Sequence, residues 1–276
     1  MIARVFPRRT NCTPDDAYAF VGEPPPFPAK DITEVMVSCL FTWDRAEAER
    51  LGALWAVVAP VRIGGPAFDS PALEFTPGMF VKNGYTVTSR GCPNSCWFCS
   101  VPKREGKLRE LAIRPGWNIL DSNILACSPE HIDRVFAMLK TQNRSPEFTG
   151  GLEAKLLTPS TATKLKAVKP KQLFFAYDSP DDFEPLQEAG RILLNAGFTR
   201  ASHTLRCYVL CGWQNDTIEK ARIRMIQTVQ CGFTPMAMLY RDQNGEKPGG
   251  EWPTFQRFWV RPALMHQTMK EIWEIL

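Results

Sequence analysis

The chain has 276 residues, of which 44% are hydrophobic and 22% charged, with a formal net charge of +4. That balance excludes wholesale disorder, a collagen-like repeat and a coiled coil, and no apolar run approaches the ~18 residues that a membrane-spanning helix needs. Arg4, Arg8 and Arg9 are not followed by an apolar stretch, so a cytoplasmic chain without a secretory signal is expected. The mild basic excess permits a nucleic-acid partner without demanding one.

In chain order, segment 34–41 (EVMVSCLF) reads as a buried strand. Thr42 or Asp44 can cap a helix over 45–59, and 61–63 reads as a second strand. A strand-helix-strand unit predicts a small parallel α/β piece, so residues 1–80 are expected to form an N-terminal α/β domain or layer. Proline- and glycine-rich runs at 24–28, 64–71 and 244–253 mark loops.

From residue 84 the alternation is longer. Strands are expected at 85–89, 117–120, 148–152, 172–177, 205–210 and 236–240, with helices at 129–142, 159–168, 183–196 and 217–230. Ser128-Pro129 and Asp216-Thr217 signal helix starts, while Gly197 and Gly232 signal helix ends. The fold class is therefore α/β. Six strands alternating with helices suit a partial (β/α)6 barrel over 81–240 better than a short doubly wound sheet, with 241–276 as an extension capping it. Functional loops should follow the carboxyl ends of the strands.

Of the nine cysteines, Cys12, Cys39, Cys127, Cys207, Cys211 and Cys231 are scattered, while Cys92, Cys96 and Cys99 fall in one short loop. An odd count in a reducing compartment argues against a disulfide framework. The spacing C-x3-C-x2-C lets three thiolates ligate three irons of a [4Fe–4S] cluster, leaving the fourth iron open. Gly91 and Pro93 suit the sharp turns around such a group. Zinc is the weaker reading, because structural zinc sites take four ligands in pairs and the nearest histidine, His131, lies in an expected helix.

The run 88–102, with Cys92, Cys96, Phe98 and Cys99 in the C-x3-C-x-aromatic-C form, resembles the signature of the radical S-adenosylmethionine superfamily. The likeness spans roughly 80–240, and the whole chain resembles a group of small members from bacterial and phage genomes. It implies an oxidoreductase that cleaves S-adenosylmethionine at the cluster to a 5′-deoxyadenosyl radical and abstracts hydrogen from a substrate. It also implies a low-potential electron donor such as flavodoxin or ferredoxin. Phe98 resembles the aromatic beside the third cysteine, whose neighbourhood packs on adenine. In place of the glycine-glycine-glutamate motif that many members carry after the second strand stands Leu120-Asp121-Ser122-Asn123. Asp121 or Asn123 would then receive the S-adenosylmethionine ammonium, or else form an Asx turn. Glu153 and Lys155 look like the glutamate-x-basic pattern after the third strand. Two apart on a strand, they would share a face, as a cofactor contact or as a surface pair.

Asp178 is either a ribose or substrate contact or a helix cap, and Gly212 would permit close backbone approach to S-adenosylmethionine. Cys207, Val209 and Cys211 alternate onto one face, where the two cysteines read as core, with a radical-quenching or auxiliary thiol as the competing role. The basic loop 103–109 and the aromatic-arginine run 252–261 place a nucleobase or nucleic acid slightly ahead of a peptide as substrate. For both runs an ordinary role competes, a solvated loop for the first and core packing for the second. Segment 34–66 resembles part of a cobalamin-binding domain, but no histidine stands in the N-terminal part, so cobalamin is not expected. From a different class, a non-catalytic iron–sulfur or S-adenosylmethionine-sensing protein would carry the same three cysteines.

Overall fold

A computed structural model describes residues 1–70 and 74–274. The Pro71 end of one expected loop and the last two residues of the expected C-terminal extension lie outside the described residues. The chain forms two compact units, Met1–Gly116 with Gln243–Gly245, and Trp117–Asp242 with Glu246–Leu276. The expected boundaries lay at 80 and 240. Residues 81–116 instead belong with the N-terminal unit, where the Lys82 amide donates to the Cys12 carbonyl at 2.9 Å.

The first unit opens with strands β1 (Ile2–Phe6), β2 (Ala19–Val21) and β3 (Glu34–Ser38), then helix α1 (Arg45–Trp55) and strand β4 (Val61–Gly64). The four strands form one parallel sheet in the order β2-β1-β3-β4. The strand-helix-strand expectation over 34–63 is met. β1 was not foreseen, because Arg4 interrupts its apolar run. Arg4 is nonetheless buried: it pairs with Asp16 and donates Nη1 to the Gly78 carbonyl at 2.9 Å. The core gathers Ala3, Val5, Val35 and Val37 from the strands and Ala48, Leu51 and Trp55 from α1. Those helix positions recur at three- and four-residue spacing, so they share a face. Trp55 is fully buried, tilts against Phe20 at 4.9 Å and donates Nε1 to the Gly22 carbonyl at 3.0 Å. Burying such a side chain is worth on the order of 2–3 kcal/mol. Neither candidate cap closes α1. Asp44 stands at its N-cap without a capping bond and pairs with Arg8 instead.

The rest of this unit is short: β5 (Tyr85–Thr86), β6 (Ser89–Arg90), helix α2 (Val101–Glu105) and β7 (Arg109–Glu110). The expected strand 85–89 is thus broken in two. Gln243–Gly245 joins this unit because Thr42 Oγ1 donates to the Gln243 carbonyl at 2.7 Å and Gly245 packs so close to Trp43 that a β-carbon there would stand 2.6 Å from its side chain.

The second unit alternates strand and helix: β8 (Asn118–Ile119), α3 (Pro129–Lys140), β9 (Glu147–Phe148), α4 (Pro159–Ala167), β10 (Gln172–Tyr177), α5 (Phe183–Asn195), β11 (Leu205–Cys211), α6 (Ile218–Gln230) and β12 (Thr234–Leu239). Two further helices follow, α7 (Trp252–Trp259) and α8 (Pro262–Glu274). Strands β8 to β12 lie side by side in chain order, all parallel. The helix starts behave as the caps predict: Ser128 accepts from the His131 amide and Thr217 from the Lys220 amide, both at 3.2 Å. Gly197 and Gly232 end their helices at φ +91° and +93°.

β8 and β9 are shorter than expected. The amides of Thr149 and Gly150 both donate to the single carbonyl of Ile119, at 3.1 and 3.0 Å, which ends the ladder. Gly150 presses directly on the backbone of Leu120 and Asp121, leaving no room for a side chain. One face of β10–β11 is closed by helices. Tyr177 there donates its hydroxyl to Gln227 of α6 at 2.7 Å, and Cys207, Val209 and Cys211 are fully buried. On the other face Phe174 stacks on Tyr208 at 4.4 Å. Among the described residues no helix is long and apolar enough to cross a membrane.

Candidate functional site

The three clustered cysteines occupy the long connection between β6 and β7, which pair antiparallel through Ser89–Glu110 and Arg90–Arg109. The Leu111 amide extends that ladder to the Thr88 carbonyl at 2.8 Å. Cys92 and Cys99 are half-buried and Cys96 is exposed. The Cys99 amide donates to the Cys96 carbonyl at 3.0 Å, so Cys96-Trp97-Phe98-Cys99 is a tight turn. Trp97 is exposed at its tip, and half-buried Phe98 meets it edge-on at 5.3 Å.

Gly91 enters this loop at φ +83°, and a β-carbon there would stand 2.3 Å from the Lys107 carbonyl oxygen. Only glycine tolerates both the conformation and the approach. Glu105 closes the loop from the other side. Its Oε2 accepts the Gly91 amide at 3.0 Å, and its Oε1 accepts Arg104 at 2.9 Å and Arg90 at 3.2 Å. Burial alone would push this carboxyl up, but the Gly91 amide and the two guanidinium groups outweigh it and hold it below the ordinary glutamate range. The basic loop expected over 103–109 is helical through Glu105, the end of α2, and runs into β7 at Arg109. Arg109 is spent on the Glu105 carbonyl at 2.7 Å, while Lys103 and Lys107 are exposed.

The donor set of this loop fits an iron–sulfur cluster: three thiols from one short segment, each reachable from solvent. As they are arranged, no three His, Cys, Asp or Glu side chains among the described residues stand close enough to hold a metal ion. The buried cysteines differ sharply. Burial pushes the Cys211 thiol up to about 12 and that of Cys231 to about 11, and raises Cys207 well above its usual value. A thiol held protonated is a poor ligand, so Cys207 and Cys211 pack as core.

In the second unit the expected site residues fall at the carboxyl ends of the strands. Asp121 and Asn123 follow β8 and are buried. Asn123 Nδ2 donates to Glu153 Oε2 at 2.5 Å, bringing together two of the residues singled out from sequence. Asn123 precedes a single turn at Ile124–Ala126, yet its side chain makes no cap. Lys155 is not on the same face as a strand neighbour of Glu153. The backbone turns over Ala154–Leu156, and Lys155 is exposed, 3.9 Å from Asp182.

Asp178 follows β10, and the rival capping role is taken by others. Asp182 accepts the amides of Ser179 at 2.8 Å and Asp178 at 3.1 Å. The Asp178 side chain instead accepts the Leu210 amide at 3.2 Å. Burial first, then the neighbouring Asp182 charge, raises its carboxyl to about 6 against the opposing pull of the Leu210 amide and Arg224. Gly212 stands at φ +75°, but its open side faces its own chain: a β-carbon would lie 2.6 Å from Pro248 and 3.3 Å from Trp252. The glycine serves this packing. Its amide is held by Asp216 at 2.8 Å, and Asp216 is paired with buried Arg224 at 2.7 Å. Arg224 also lies over Trp213 at 4.4 Å. Phe255 and Trp259 of α7 are buried, so the aromatic-arginine run packs into the core and does not offer those rings for stacking.

Sequence reasoning passed over Glu105 and Arg224. The signal for Glu105 was a lone acid in a basic run; Arg224 read only as an ordinary helix residue. No protein-family model matches this chain, and no curated protein matches it.

Proposed function

We propose that this chain is a radical S-adenosylmethionine enzyme in which Cys92, Cys96 and Cys99 hold a [4Fe–4S] cluster. When bound, that cluster supplies the electron that cleaves S-adenosylmethionine to a 5′-deoxyadenosyl radical, which takes a hydrogen atom from a substrate. The single observation carrying the reading is the C-x3-C-x2-C loop with its three solvent-reachable thiols. The scattered cysteines Cys39, Cys127, Cys207, Cys211 and Cys231 are buried.

The protein's own task is to bind, orient and exclude water. Asn123 and Glu153 would receive the S-adenosylmethionine ammonium, with the amide fixing the carboxylate's direction. Asp121, buried beside them in sequence, would share that role. Asp178, at the end of β10, would contact a ribose hydroxyl; for Phe98 the adenine neighbourhood rests on the signature run alone. The parallel strands in chain order support a partial barrel as the vessel, with Asp121, Asn123, Glu153 and Asp178 after the carboxyl ends of its strands. Lys155 and Gly212 drop out, because the first is exposed at a turn and the second is covered by Pro248. Electrons would come from a low-potential donor such as a flavodoxin or ferredoxin.

The test is anaerobic reconstitution with iron and sulfide, followed by dithionite and S-adenosylmethionine, with 5′-deoxyadenosine and methionine quantified. The expected result is formation of both by the native protein and loss of at least 100-fold on Cys96→Ala, the scale on which an essential group acts. A stable cluster that leaves S-adenosylmethionine intact, even with candidate substrates present, favours a non-catalytic iron–sulfur protein. Failure to take up iron overturns the reading.

A further inference from the structure

We propose that Glu105 is a positioning residue that holds the two ends of the cysteine loop together independently of iron; the proposal rests on the reading of Cys92, Cys96 and Cys99 as cluster ligands. Glu105 lies outside the 88–102 signature run and contributes no ligand. Its side chain is 3% exposed, and a carboxylate that deep is tolerated only when its oxygens are satisfied. Both are. One takes the Gly91 amide, immediately before Cys92, and the other takes Arg104 of α2, the helix that starts two residues after Cys99, together with Arg90 of β6. The Glu105 carbonyl takes Arg109 of β7. One residue therefore ties together the entry strand, the entry glycine, the exit helix and the exit strand.

The need for such a tie is physical. A long connection with only a short helix and one tight turn loses considerable entropy on closing. The β6–β7 ladder secures its base through two residue pairs and the Leu111–Thr88 bond. At Gly91 the entry leg passes close against the exit leg at Lys107, and the Glu105 carboxylate holds the Gly91 amide at that point. Released there, Cys92 and Cys99 drift apart, and three ligands on one loop no longer act as one chelator.

The experiment compares wild type with Glu105→Ala and Glu105→Gln. Hydrogen exchange by mass spectrometry is read over 89–100 before iron is added. Iron release to a ferrous chelator and the electron paramagnetic resonance signal of the reduced cluster are read after reconstitution. Glutamine keeps an oxygen for the Gly91 amide but loses the charge that Arg90 and Arg104 require. The expected order of iron release is alanine fastest, at least tenfold above wild type, with glutamine between. Faster exchange should be confined to 89–100 and the alanine variant's signal should be altered. Wild-type exchange and wild-type iron release in both variants overturn the proposal. If Glu105→Ala does not fold, Glu105→Gln alone is read by the same measures. If wild-type protein takes up no iron, the ligand reading has failed, while exchange at the Gly91 segment still decides whether Glu105 holds the loop.

Discussion

Two loops in this protein are built on one plan and put to different ends. Each starts at a glycine in the left-handed region, Gly91 at φ +83° and Gly212 at φ +75°. In each, a buried carboxylate accepts the glycine amide and pairs with arginine: Glu105 with Arg90 and Arg104, Asp216 with Arg224. Around Gly212 the chain fills the space itself with Pro248 and Trp252, and the nearby Cys211 is sealed and held protonated. Around Gly91 the clamp holds a loop whose cysteines meet solvent. The lesson is that the same clamp is structural where the surroundings are packed, and suits chemistry where they are open.

The broadest way to break this contrast is by thiol reactivity. At pH 8 and without denaturant, alkylation followed by peptide mass mapping should label exposed Cys96 orders of magnitude faster than buried Cys211, whose thiol, at about 12, is only about one part in ten thousand thiolate at that pH. Comparable rates at the two positions would mean that the environments do not differ as the structure describes.

Next in size is the second clamp. Arg224→Ala leaves the fully buried Asp216 without its countercharge, at a cost of about 3–5 kcal/mol. Thermal unfolding should fall by roughly 10 °C. Iron release from the reconstituted protein should stay at the wild-type rate, in contrast to the Glu105 variants. Equally fast iron release from both clamp variants would erase the distinction between them.

The smallest effect sharpens the electrostatics at the end of β10. The Asp178 carboxyl sits at about 6 when folded and near 3.9 when unfolded. Between those values the folded chain binds more protons, so stability declines as pH rises from about 4 to about 6 and levels off above. The loss is on the order of 1–2 kcal/mol once partial solvation is allowed for. Urea midpoints across that window should show the slope in wild type and not in Asp178→Asn. A slope that persists in the variant assigns the titration to another group.

Much of the architecture was legible in the chain. β10 was expected over the residues it occupies, and β11 exceeds its expected end by one. Both are long, apolar runs bounded by good caps, where local pattern and burial agree. β8, β9 and β1 were less legible, for opposite reasons. The first two end early because Gly150 packs onto the neighbouring backbone, a contact that no periodicity encodes. β1 hides behind Arg4, whose burial depends on an aspartate twelve residues on.

The candidate site divides in the same way. C-x3-C-x2-C is local: the donors, their spacing and the turn-forming glycine lie within one short segment, so the sequence alone determined which thiols could act together. It also determined the order of strands and helices from β8 to β12, because hydrophobic period and capping are properties of neighbouring residues. Only tertiary structure decided that Asn123 meets Glu153, that Lys155 turns away, and that Gly212 is covered by Pro248. It alone decided that Glu105 closes the cysteine loop. Those outcomes depend on which backbones approach in space and on which buried charges find a partner.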